Sequence, residues 1–471
     1  MSMTRRDLLA ASGSGFGSLA LAAMLAGERD AAAATGGTAV HPACVFPPKV
    51  KRVVQLFMAG AASHIDLFDY KPELVRQHGK PSDFGEPVEA FQNGLGPWLK
   101  PIWDFKPYGG CGKLLSEPVA ALGDVVDRLA FIHNMVSTSG VHSAATLLQT
   151  TGFVLPGFPG AGCWVSYALG SMNDNLPTFV VLVARSSKPE QPQAIGARLW
   201  SSGFLPGEYS GVSFRSAGDP ILYINNPPGV PSAVRRATLD GLQALNQRTL
   251  EKIGDPETRT RIAQYEMAFR MQASVPDLTN LATESAATLA LYGPDATNPG
   301  TFANSALMAR RMVERGVRFV QIYLNHWDTH ANVVGRLKNG CRDIDQPCFG
   351  LIQDLKARGL LDDTLVIWGG EFGRTVYSQG GLTKENYGRD HHPRCFTMWM
   401  AGGGARGGTI HGETDDFSYN IVKDPVHIRD FHATVLHLLG FDHERFTYRY
   451  LGLDQRLTGV EHARVVTELL A

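Results

Sequence analysis

The chain reads as an α/β protein built on a mostly parallel central sheet. Three observations predict this. Short β-branched and aromatic runs recur along the chain, each bounded by turn residues. Helical patterns of alternating apolar and polar residues separate them, the arrangement that parallel strands with crossover helices require. Polar clusters of ligand type stand at the ends of those runs, at the edge where open α/β sheets bind ligands.

The runs are Lys51–Met58, Leu129–His133, Phe179–Val183, Ile221–Ile224, Val317–Leu324 and Thr364–Trp368, with a further apolar run at Phe396–Met400. Helices are expected from Val141 to Leu148, across Ser232–Met271, over Thr301–Arg315, around Cys348–Arg358, and at Ile428–Leu439, the last ended by Gly440. Lys71–Gly112, rich in Pro, Gly and aromatic residues, reads as an insertion or long decorated loop.

The 471 residues suffice for one large α/β domain with insertions, here placed at 48–471, and 44% hydrophobic residues supply a sizeable core. A net charge of −1 offers no basic excess to neutralise a phosphate backbone, so a nucleic-acid partner is not expected.

Residues 1–34 read as a targeting segment. Arg5 and Arg6 form the pair of a twin-arginine signal, a mildly apolar stretch follows, and Ala31–Ala34 offers a cleavage site. Export to the periplasm or beyond is therefore expected, with no transmembrane span in the mature chain. None of the six cysteines forms a CxxC pair, which argues against a thiolate metal site. Cys341 and Cys348 are the closest candidates for a disulfide, with free buried thiols as the alternative.

The chemistry concentrates at Asn325-His326-Trp327-Asp328-Thr329-His330, directly after an apolar run. Asp328 and His330 alternate along an extended segment and can share one face, as can His326. Asp66 follows the first strand, where either a metal ligand or a turn-capping carboxylate belongs. Glu371 follows Val366-Ile367-Trp368-Gly369-Gly370. Arg374 nearby could clamp an anionic oxygen or pair with Glu371. His391 is preferred to His392 as a further ligand, because adjacent residues rarely hold one ion together. His142 and Ser143 open a helix, where they serve either as caps or as an anion site with Ser143 as a hydroxyl nucleophile. Carboxylate and imidazole ligands converging from several strand ends suit a divalent metal.

The chain resembles the DUF1501 family across most of its length. The matching stretches include Ser63-His64-Ile65-Asp66-Leu67-Phe68-Asp69, Trp327-Asp328-Thr329-His330, Gly370-Glu371-Phe372-Gly373-Arg374-Thr375, Gly388-Arg389-Asp390-His391-His392-Pro393 and Asp430-Phe431-His432-Ala433-Thr434. The resemblance implies an alkaline-phosphatase-like α/β/α sandwich and hydrolysis of phosphate or sulfate esters. It also implies a centre of one or two divalent metals, zinc, manganese or calcium. Asp66, Asp328, His330, Glu371 and His391 fall at its ligand positions. The implied substrate is a small anionic ester or a sulfated or phosphorylated glycan. Two departures matter: Glu371-Phe372 replaces an Asp-His pair, and no Cys-x-Pro-x-Arg motif supports formylglycine chemistry. A retained fold that binds or scaffolds at the envelope without catalysis is the alternative expectation.

Overall fold

A computed structural model describes residues 41–471 other than 89, 92–93, 190–191, 216–218, 222–224 and 384–386. The expected signal at 1–34 lies outside these residues, as does most of the expected strand Ile221–Ile224.

The principal strands are β1 (Arg52–Met58), β2 (Leu129–Val136), β3 (Phe179–Ala184), β4 (Val212–Phe214), β5 (Phe319–Leu324) and β6 (Thr364–Gly369). They continue with β7 (Gly373–Gln379), β8 (Arg389–His392), β9 (Phe396–Ala401) and β10 (Ile410–His411). The nine-stranded central sheet runs in the order β10-β2-β9-β6-β1-β5-β3-β4, with Val426–His427 added against β2. Strand β1 is parallel to β5 and β6, and β3 is parallel to β5 and β4. Only β9 runs against its neighbours β6 and β2. The sheet is mostly parallel, as expected.

Helices cover both faces. Along β1, Val54, Leu56 and Met58 join one apolar cluster, while Val53 and Phe57 join another. The period of two sends alternate side chains to opposite faces. The first cluster holds Phe302, Leu307 and Met312 of α6 (Phe302–Glu314) and Leu337, Ile344 and Leu351 of α7 (Val333–Ala357). The second holds Leu147 of α2 (His142–Thr151), Trp164 of α3 (Ala161–Leu169), and Phe431 of α8 (Ile428–Leu438). One polar pair interrupts it: Gln321 Nε2 donates to Gln55 Oε1 at 3.0 Å across β1 and β5, so the two buried amides partner each other.

Local chemistry explains the boundaries. The Thr301 hydroxyl caps α6, and His427 with Asp430 forms a capping box on α8. The expected helical stretch Ser232–Met271 is two helices, α4 (Ser232–Ile253) and α5 (Pro256–Thr279). Gly254 takes a left-handed conformation between them, and Asp255 caps the second. The helix expected around Cys348 starts earlier, at Val333, and continues through Pro347 because its apolar stripe stays buried on either side of the proline. Cys341 and Cys348 are both free and buried in this one helix. Two turns separate them by about 10 Å, beyond the reach of a disulfide.

The insertion 71–112 carries a short helix, Pro72–Gln77, and strand segments. Its Leu95–Trp98 segment pairs antiparallel with β7, and β7 pairs with β8 in a small second sheet. Among the described residues, no helix is long and apolar enough to cross a membrane.

Three buried histidines make stability pH-dependent. Burial lowers His64 and His133 to about 3 and His432 to about 4. Each unfolded imidazole, near pKa 6.5, takes up a proton that its folded counterpart refuses. Stability from these groups is therefore full above about pH 6.5 and is lost as pH falls, at up to about 1.4 kcal/mol per pH unit for each histidine. Urea unfolding between about pH 7 and pH 5 is expected to show this slope, and His432→Gln should reduce it by roughly one proton's worth.

Candidate metal centre

The side chains that matter leave the carboxyl edge of the sheet. Asp328 and His330 follow β5, His142 begins the helix after β2, Glu371 follows β6, and His391 lies on β8 just before the antiparallel β9. The backbone is crowded there. Gly60, at φ +107°, leaves β1 so close to the next strand end that a Cβ would sit 2.5 Å from the Asp328 nitrogen. A Cβ on Gly388 would collide with the His330 carbonyl.

His142, Asp328, His330 and His391 each offer one ligand atom, all within 4.8 Å of one another. Asp328 Oδ1 lies 2.9 Å from His330 Nε2, 3.3 Å from His142 Nε2 and 3.5 Å from His391 Nε2. The Nε2 atoms of His330 and His391 are 2.9 Å apart.

Each imidazole has an acceptor at its other nitrogen. His142 Nδ1 donates to Glu371 Oε1 at 2.6 Å, His391 Nδ1 to the Gly140 carbonyl at 2.7 Å, and His330 Nδ1 to Gln379 Oε1. When each ring is neutral with its hydrogen on Nδ1, the three Nε2 lone pairs face one carboxylate oxygen, whereas a protonated ring donates from Nε2 to Asp328 instead. Neutral lone pairs this close repel one another unless a cation lies among them. Three imidazole nitrogens and a carboxylate oxygen, each imidazole oriented by an outer acceptor, fit a divalent metal.

The charges agree. Burial alone would raise the Asp328 carboxyl. The three imidazoles and Arg374 outweigh it and hold the group far below the usual carboxylate range. Burial and the neighbouring Arg374, His142 and His330 lower His391, against the hydrogen bond to Asp328. Burial also works against a charged His142, but its hydrogen bonds to Asp328 and Glu371 prevail and raise it.

Arg374 is fully buried and cannot reach a substrate oxygen. It donates to Asp328 Oδ1 at 2.6 Å, to the Ala61 carbonyl at 3.0 Å, to the Arg389 carbonyl at 3.3 Å and to the Gly60 carbonyl. It acts on the site by positioning Asp328. It forms no ion pair with Glu371, which instead accepts from the Gly60 amide at 2.9 Å and supports His142.

Asp66, expected as a ligand, stands apart. It is fully buried in a two-pronged pair with Arg389, at 2.7 and 2.9 Å, and also accepts from Ser63 at 2.5 Å and from the Ile102 amide at 3.0 Å. Glu371 touches a ligand but does not join the four. Ser143, one residue after His142, is exposed and makes no side-chain hydrogen bond among the described residues. His392 turns away from His391 to the Tyr419 carbonyl at 2.8 Å. His326 takes a left-handed backbone (φ +83°) and is not among the four. The Phe372 ring stacks on His142 and lies tilted against His391, each at 4.8 Å between ring centroids.

His142 is the member of this cluster that the sequence did not single out as a candidate ligand. The available signal was its place after a strand end, shared with the others; its helix-opening position made it look like a cap.

Asp66→Asn tests the separation of roles. Removing the counter-charge of buried Arg389 is expected to cost about 3–5 kcal/mol of stability, read by urea unfolding, while bound divalent metal stays at wild-type stoichiometry. Metal loss without a stability loss would place Asp66 among the ligands.

No curated protein matches the chain. Among solved structures, it is similar to a sulfatase from Pseudoalteromonas sp. at 12% identity and TM-score 0.34, covering 84% of this chain and 68% of that one. The lipoteichoic acid synthase LtaP from Listeria monocytogenes matches at 11% identity and TM-score 0.34, covering 92% and 80%. The phosphonate monoester hydrolase of Agrobacterium radiobacter matches at 12% identity and TM-score 0.33, covering 90% and 77%. The family model described as "Protein of unknown function (DUF1501)" matches residues 50–470, and the chain belongs to that family.

Proposed function

We propose that this protein is an exported, metal-dependent hydrolase of phosphate or sulfate esters. The observation that carries the reading is the convergence of three imidazole Nε2 atoms on Asp328 Oδ1. The donor set of three nitrogens and one oxygen favours zinc over calcium, which takes oxygen ligands. His142, Asp328, His330 and His391 would hold the ion. A cation there supplies Lewis acidity toward a phosphoryl or sulfuryl oxygen.

The chain's own groups do the rest. Glu371, Gln379 and the Gly140 carbonyl hold the Nδ1 hydrogens and keep each ring aimed. Arg374 holds Asp328 in place and, after the three imidazoles, helps to keep it ionised against its burial. Ser143, exposed beside His142, is the proposed nucleophile. Its oxygen would attack phosphorus or sulfur while the ester P–O or S–O bond breaks, the serine proton passing to the departing alcohol oxygen; water would then displace the serine oxygen, releasing phosphate or sulfate and restoring the hydroxyl.

A cleft of about 880 Å³ adjoins this edge, lined in part by Asn325, His326, Arg185 and Arg342. Gln193 links the two, its amide N–H on Asn325 Oδ1 at 3.1 Å and its side chain 3.4 Å from Asp328 Oδ2. The body of a sulfated or phosphorylated glycan would lie there. Export by the twin-arginine route belongs to the same reading and rests on Arg5 and Arg6.

A non-catalytic envelope binding protein is the second reading, favoured by the aromatic ring of Phe372 at the centre. Elemental analysis and an aryl phosphate and sulfate panel separate the two. The wild type should hold about one equivalent of zinc and turn over at least one ester, while His330→Ala loses both and stays folded. Ser143→Ala should keep the metal and lose turnover by roughly a hundredfold or more. Turnover that survives complete removal of metal sinks the hydrolase reading; metal without turnover supports the second.

A further inference from the structure

A second polar cavity, of about 280 Å³, sits between the segment after α1 (His64–Leu67), the strand Lys113–Ser116 and the residues following β10. Its polar lining is Lys71, Lys113, His133, Asp69, Thr414 and Glu413, the last at the exposed rim, and none of them belongs to the metal centre.

Lys113 is the unusual member. It is 3% exposed, yet its ammonium has one hydrogen bond, to the Phe68 carbonyl at 2.5 Å, and lies 5.0 Å over the Phe131 ring. No carboxylate among the described residues comes within ion-pair distance of it. Asp69, the nearest by charge, is already committed. Its Oδ2 accepts from Thr414 and Ser418, each at 2.6 Å, and its Oδ1 faces Lys71 at 3.5 Å. A desolvated ammonium with two unused N–H donors is costly unless something supplies the missing negative charge. His133 offers a further donor: its Nδ1 lies 2.8 Å from the Thr397 hydroxyl, and when that hydroxyl donates, the hydrogen rests on Nε2.

We propose that this cavity binds a small oxyanion, a carboxylate, phosphate or sulfate, with Lys113 as its counter-charge. The amine's lowered basicity, to about 8 through burial with Lys71 opposing Asp69, accords with a cation awaiting a partner. The site is independent of the hydrolytic reading, since it shares no residue with the metal centre.

The test is trace acetylation of the full chain with acetic anhydride, read at Lys113 by peptide mass spectrometry against exposed Lys106. It is run alone and with millimolar inorganic phosphate, sulfate or acetate. Lys113 should label in the free protein, and the preferred anion should protect it about tenfold when near ten times its Kd. The anion that protects at the lowest concentration identifies the ligand chemistry. Calorimetry with that anion should show a loss of about thirtyfold or more in affinity for Lys113→Met. Labelling of Lys113 that no anion changes, or a Lys113 that never labels, overturns the proposal, and neither result depends on whether the variant folds.

Discussion

The ion pair between Arg374 and Asp328 is the contact on which this edge of the molecule depends. The guanidinium is fully buried, and its planar fork reaches the carboxylate and the carbonyls of Gly60, Ala61 and Arg389 together. Those oxygens belong to the ends of β1, β5 and β8, so one side chain sets their spacing. An arginine suits this role because its donors lie in a rigid plane and it stays charged when buried. Asp328 is thereby held at the point where three imidazoles meet, and those imidazoles together with Arg374 keep it ionised against its burial.

A second buried pair, Asp66 with Arg389, works alongside the first. Arg389 takes carbonyls from Leu99, Lys100 and Thr375, so it fastens the insertion and β7 to the turn after β1. The two arginines are also joined, since Arg374 donates to the Arg389 carbonyl. Burying two such pairs is costly unless every donor is matched, and here the protein oxygens match them. The result is a stiff platform beneath ligands that otherwise stand on loop and strand termini, the arrangement that a preorganised site requires.

The molecule then divides its polar interior by function. At the metal centre, acceptors hold every Nδ1 hydrogen and leave Nε2 lone pairs. At the Lys113 cavity, a buried ammonium lacks a carboxylate within ion-pair distance. One group of side chains suits a cation and the other an anion.

The strands were legible in the sequence because buried parallel strands are near-continuous apolar runs; β1, β2, β3, β5 and β6 all follow this rule. Strand-end position likewise marked Asp328, His330 and His391 as polar groups on a ligand-binding edge. Sequence could not distinguish Asp66 from Asp328. Both are carboxylates just past a strand, and only the chain's return brings Arg389 to one and three imidazoles to the other. His142 was hidden for the same reason, since its helix-opening position is local while its partners Glu371 and Asp328 arrive from distant strands. Periodicity along the chain determines which residues are buried or lie at an edge. Which charges meet there is decided by long-range packing alone, because a carboxylate's role follows from its neighbours in space.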